Sequence, residues 1–160
     1  MTTPRTLSRL VVLAMLGMTL AATFAVPSVH ARPHVARQRP SGDELRDKML
    51  RLVNRSRTSR GLPSLKLNVR LSREAYDHAR RMARTDQLTH TPNLAALISE
   101  IGGTVFGEDL GKGRGLHGIR DAWLRSDTTR RILLDPRFHH VGLGLVHVDG
   151  FYWVTLQAFD

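Results

Sequence analysis

The sequence predicts an α+β protein in which helices lie on both sides of a small antiparallel sheet. Two observations carry this. Apolar residues recur at helical spacing from Ser41 to about Asp127, and in "VGLGLVHVDGFYWVTLQAF" the period drops to two, with an Asp149-Gly150 hairpin signal between the two alternating runs. Helices first and strands last bury their apolar faces most simply by stacking in layers.

The elements follow in chain order. Arg5 and Arg9 precede an uncharged apolar run from Leu10 to Val26, and Val29-His30-Ala31 places small residues where a signal peptidase cuts. Residues 1–31 therefore read as a cleaved secretory signal, which places the protein outside the cell or at the wall and leaves no stable membrane span. Residues 32–40, "RPHVARQRP", carry prolines and arginines with little to bury and read as a flexible basic linker. The domain, 41–160, opens with capping-box spacing at Ser41 and Glu44, and Leu45, Met49, Leu52 and Val53 share one helical face until Gly61 and Pro63. A second helix carries Leu71, Ala75, His78, Ala79 and Met82 on its inner face. Thr91-Pro92 has the form of a cap with proline in the first turn, predicting a short helix through Ala95 and Ile98 that Gly102-Gly103 ends. A fourth helix runs from Leu116 through Ile119 and Trp123, with a break near Asp127. In the last strand Trp153, Thr155, Gln157 and Phe159 share one face, and Tyr152, Val154, Leu156 and Ala158 the other, so both faces can be covered.

Composition narrows the chemistry. There is no cysteine, which excludes a thiol nucleophile, a cysteine zinc site and stabilisation by disulfides. A net charge of +10 attracts anionic envelopes, although the basic residues are mostly arginine, as biased composition alone would give. No aromatic residues interleave with the basic ones to stack bases, so no nucleic-acid partner is expected. The run "GEDLGKGRGLHG" fails as a phosphate loop, because Lys112 is followed by Gly113 rather than Ser or Thr, and reads as a flexible basic loop able to move over a ligand.

Five stretches in register, "LVNRSRTSRGLPSLKLN", "AYDHARRMARTDQLTHT", "GEDL", "AWLRSDTTRRILLDPRFHHVGLGL" and "YWVTLQAF", resemble the bacterial, cysteine-free branch of the CAP superfamily. This is the SCP domain of cysteine-rich secretory, antigen 5 and pathogenesis-related proteins. The resemblance spans about Leu45 to Phe159. It implies a three-layer α-β-α sandwich, an extracellular setting, and a cleft where His and Glu side chains converge, which in some members holds a divalent metal such as zinc. His90 matches the histidine of the Ser-His-Thr-like motif, with Thr89 where serine is usual. Glu108 matches the glutamate of the Gly-Glu-Asn motif, with Asp109 in place of asparagine. Trp123 to Ser126 matches the Trp-x-x-Ser element. The histidine-arginine pair that normally follows is replaced by Thr129 and Arg130, which removes a second pocket histidine, and zinc generally needs three or four protein ligands.

Three functional readings result. A His90–Glu108 cleft, with Ser126 and Arg130 beside it, recognises a lipid, a cell-wall fragment or a protein without catalysis. Alternatively, His90 and Glu108 work as an acid/base pair or share a metal in a hydrolase. Ser126 lacks the Gly-x-Ser-x-Gly elbow of a serine nucleophile. In the third reading the arginine-rich surface does the binding and the motifs only maintain the fold. If Glu108 is instead a buried structural carboxylate, backbone amides or an arginine satisfy it, and Arg130 is the natural arginine. His78 reads as a hydrogen-bonded core residue; His117, His139, His140 and His147 read as structural or surface residues.

Overall fold

The computed structural model describes residues 41–160; the signal and linker expected over 1–31 and 32–40 lie outside the described residues. The first helix, α1 (Gly42–Thr58), starts at a complete capping box, Ser41 Oγ accepting from Glu44 N–H and the Glu44 carboxylate accepting from Ser41 N–H at 2.7 Å. A two-residue strand β1 (Lys66–Leu67) follows, then α2 (Val69–Thr85), whose N-cap Asn68 accepts from Leu71 N–H. The order continues with α3 (Leu94–Glu100), β2 (Phe106–Gly113), α4 (Leu116–Arg125), α5 (Asp127–Leu133), β3 (His140–Val148) and β4 (Phe151–Phe159).

The sheet has the order β1-β3-β4-β2. It is antiparallel as expected in β3–β4 and β2–β4, with one addition: β1 pairs parallel to β3, at Lys66↔His140 and Leu67↔Val141 only. Asp149 and Gly150 turn the hairpin with φ of 50° and 78°, the left-handed conformation such a two-residue loop needs. Strand alternation gives the sheet two apolar faces. Val141, Leu143, Leu145, Val154, Leu156 and Ala158 meet α1, α4 and α5 in the larger core. On the other face Leu71, Leu94, Ile98 and Phe159 form a smaller one with α2 and α3. The result is the expected α-β-α sandwich.

Two glycines set how closely α2 approaches. A Cβ at Gly142 would lie 2.8 Å from the backbone carbon of Leu71, and one at Gly144 would overlap the backbone of Ala75 and Tyr76. The helix rests directly on the strand, with Ala75 and Ala79 fully buried beneath it.

Two sequence expectations need correcting. The third helix does not start at Thr91-Pro92 but at Leu94, after a turn through Asn93 at φ 57°. Both the N–H and the hydroxyl of Thr91 are given to Glu108 rather than to a helix end. The stretch read as a flexible loop is strand β2 as far as Gly113, paired residue for residue with β4. Lys112 is tied down there by an ion pair to Asp86 and lies 4.5 Å from the centre of the Trp153 ring.

Candidate functional site

The site is built from three separate segments, and its floor is the sheet. Glu108 on β2 and Gln157 on β4 are register partners, and alternation sends both to the α2–α3 side. Above them runs the segment after α2, held by a helix residue: His78, 2% exposed, donates from Nε2 to the Thr89 carbonyl at 2.6 Å. Its Nδ1 then accepts from Arg81 at 3.3 Å, which fixes a single neutral tautomer. His78 is thus a core residue as expected, and it also positions the site.

Glu108 and His90 meet. His90 Nδ1 donates to Glu108 Oε1 at 2.7 Å, and Thr91 N–H donates to the same oxygen at 2.9 Å. Oε2 accepts from the Thr91 hydroxyl and from Gln157 Nε2 at 3.0 Å. Gln157 also donates to Thr91 Oγ1 at 2.8 Å. Burial would push the Glu108 carboxyl up, but the bonds from Thr91, Gln157 and His90 outweigh it and hold its pKa below the ordinary value. The side chain of Glu108 is only 4% exposed, whereas that of His90 is 75% exposed.

This asymmetry decides the chemistry. An ionised carboxylate with two donors on each oxygen has no position left to take a proton from a substrate or to bind a metal. Because it can only accept, His90 must be the donor at Nδ1, and the lone pair of the neutral ring is directed to Nε2, on the exposed side chain. Glu108, Thr91 and Gln157 therefore act together as a mount for one imidazole.

Ser126 and Arg130 are not brought to this mount. Ser126 is exposed at the α4–α5 junction. Arg130 pairs with Asp127 at 2.5 Å and with the Leu124 carbonyl, so the expected Arg130–Glu108 pairing does not occur; the carboxylate's needs are already met. The Thr129 hydroxyl turns back to the Trp123 carbonyl at 2.8 Å. Of the other histidines, His140 stacks on Phe159 and His147 on Tyr152, while His117 and His139 are exposed. Among the described residues no three His, Asp or Glu side chains are grouped to hold a metal ion. One free imidazole nitrogen beside a saturated carboxylate does not fit the ligand set zinc requires.

The neighbouring residue Asp109 has a different fate. It faces the larger core, fully buried, and neither carboxyl oxygen has a hydrogen-bond partner among the described residues. Burial, reinforced by the Glu108 charge, pushes its pKa up to about 8. Sequence reasoning missed the roles of Thr91, Gln157 and Asp109. The signal for Gln157 was present, a lone amide in a terminal strand whose only other small polar side chain is Thr155.

Comparison with known proteins agrees with this architecture. The family model described as "Cysteine-rich secretory protein family" (CAP) matches residues 50–158. Among solved structures, an outer surface protein of Borrelia burgdorferi superposes with a TM-score of 0.67 at 16% identity, over 77% of this chain and 97% of that one. An extracellular SCP-domain protein of Bacillus anthracis gives 0.60 at 22% identity, over 77% of this chain and 45% of that one. A cysteine-rich secretory protein of Staphylococcus aureus gives 0.61 at 22% identity, over 77% and 41%. The chain thus spans less than half of the last two proteins. No curated protein sequence matches it significantly.

Proposed function

The chain belongs to the cysteine-rich secretory protein (CAP) family, and from that premise we propose that it is an exported, extracellular or wall-associated binding module that performs no chemistry at its His–Glu site. One observation carries the reading: Glu108 spends both oxygens on His90, Thr91 and Gln157, so the site offers a ligand a single outward imidazole nitrogen. A hydrolase needs in addition a nucleophile or an activated water, and Ser126 stands at the α4–α5 junction, hydrogen-bonded to neither His90 nor Glu108. With Nδ1–H committed to Glu108, Nε2 is the ring atom left to a ligand, and in the neutral ring it is an acceptor, which suits a ligand rich in hydroxyl or amide donors. A cell-wall fragment or a protein surface meets this need better than a lipid tail. Export rests on the apolar run of residues 10–26 and on the extracellular or outer-surface descriptions given to the relatives. No helix among the described residues is long and apolar enough to cross a membrane.

The test is binding of the purified protein to isolated cell-wall sacculi and to lipid vesicles, beside His90→Ala and Glu108→Ala. The expected result is retention on sacculi, weakened about tenfold or more in both variants. If neither variant alters retention, or if the wild type turns over an ester, peptide or glycan substrate in a His90-dependent way, the proposal fails.

A further inference from the structure

We infer that the unpaired edge of β3 is a docking groove for an extended acidic peptide, which adds to the sheet as a further strand. β1 covers this edge only at His140 and Val141, and then Asn68 caps α2 and leads the chain away. From Leu143 to Val148 no strand of the described residues lies alongside. Leu143 N–H points outward and is met by Ser72 Oγ at 3.1 Å. Strand alternation turns the N–H and C=O groups of Leu145 and His147 the same way.

The edge is recessed. Asp43 and Arg46 of α1 stand on one side of it and Val69, Arg73 and Tyr76 of α2 on the other, with Leu143–Leu145 between them, and the groove encloses about 570 Å³. A second copy of the protein cannot insert its own β3, which is walled in the same way. An acyl chain would fit the volume but leave the outward amides of Leu145 and His147 unpaired. An extended backbone satisfies them, with its side chains reaching the two walls alternately. Leu143 to Val148 is six residues, roughly 20 Å. Leu143 and Leu145, 1% and 3% exposed, form the floor of the groove, and with the Leu143 N–H held by Ser72 the outward groups left to a peptide are those of Leu145 and His147.

Charge selects among peptides. On the α1 wall Arg46 is shared between Asp43 at 3.0 Å and Asp47 at 3.9 Å, so that wall offers a peptide no free cation. Arg73 is exposed on the α2 wall and pairs with no carboxylate among the described residues. Val69 and Tyr76, 67% and 42% exposed, supply apolar contact beside it. An acidic residue facing α2, within an alternating strand, meets all three. The site is separate from His90, and the inference does not depend on the function proposed there.

The probe is an acetylated, amidated seven-residue peptide of alternating valine and glutamate, titrated into the isotope-labelled protein and followed by amide shifts. The expected result is perturbation centred on Leu145 and His147. Arg73→Glu should weaken binding at least tenfold and favour the lysine analogue of the peptide. His147→Pro, which removes an outward N–H at an exposed edge position, should weaken it similarly, while His147→Ala keeps the N–H and the affinity. Thermal melts of each variant establish that it is folded. No shift at these amides with millimolar peptide, or equal affinity in Arg73→Glu or His147→Pro, overturns the inference.

Discussion

Adjacent carboxylates on β2 face opposite sides of the sheet, and their surroundings drive them to opposite protonation states. Glu108 is saturated with donors and stays ionised; Asp109 is buried without a partner among the described residues and stays largely protonated below about pH 8. The consequences for stability have opposite signs. Glu108, with a lowered pKa, stabilises the fold above the ordinary carboxylate range, and this contribution is lost as pH falls through its folded value. Asp109 titrates near 3.8 when unfolded and about 8 when folded, so the folded state holds the proton more tightly. Its contribution is complete below about pH 4 and is lost as pH rises toward 8. Asp109→Asn, which cannot ionise, should therefore match the wild type near pH 4 and exceed it at pH 8 to 9 by on the order of a few kcal/mol. Denaturant melts across that range measure it; a difference that does not change with pH would mean that Asp109 does not carry the shift.

At the scale of elements, the helices and the hairpin were legible because their signals are local. The capping box at Ser41, the helical face of Leu71 to Met82 and the Asp149-Gly150 turn each lie within a few residues of what they specify. What was not legible depends on partners distant in sequence. Thr91-Pro92 has the form of a helix start, but the groups Thr91 would cap with are taken by Glu108 on β2, and the helix begins later. The glycines of "GEDLGKG" suggested a loop. In the sheet Gly107 and Gly111 instead make room for Ile132 and Ile119 from the helices above. His90 and Glu108 could be named from motifs alone, while their hydrogen-bond mount through Gln157 required the register of β2 on β4. The α2–β3 contact yields a prediction on the same principle. Gly144→Ala would force Cβ into the backbone of Ala75 and Tyr76, and α2 cannot withdraw without opening the smaller core. Overpacking against rigid backbone should cost about 3 kcal/mol, measurable as a lower denaturation midpoint, whereas Gly118→Ala on exposed α4, with nothing near its Cβ, should be neutral or slightly stabilising. Equal midpoints for the two variants would contradict the close approach.

Across the whole molecule, a protein without cysteine must join its layers by packing and hydrogen bonds, and one arginine has a large part in this. Arg57, in the last turn of α1, is fully buried. Its Nε donates to the Pro63 carbonyl at 2.9 Å, Nη1 to the carbonyls of Leu133 and Asp135 at 2.9 and 3.0 Å, and Nη2 to that of Phe138 at 3.0 Å. Burial lowers its pKa, and the nearby Asp135 charge acts the other way. The planar fork thereby gathers the end of α1, the turn before β1 and the whole connection from α5 to β3, segments more than 70 residues apart in sequence. The same connection presents Arg137, bound to Asp135, at the surface. Replacing the side chain takes a donor from four carbonyls, of which only that of Asp135 keeps another among the described residues, the Phe138 N–H at 3.3 Å, and two of the four, Asp135 and Phe138, lie in a connection with no regular structure to fall back on. Arg57→Met, close in volume but without donors, should cost about 3 kcal/mol or more. Arg57→Lys should recover only a fraction, because one ammonium on a flexible stem cannot reach carbonyls spread around a planar fork. Hydrogen exchange gives the sharper readout, with loss of protection in Arg57→Lys concentrated at residues 134–139 while the amides of β4 stay protected. Uniform loss across the sheet would instead make Arg57 an ordinary core residue rather than the tie that fixes this connection.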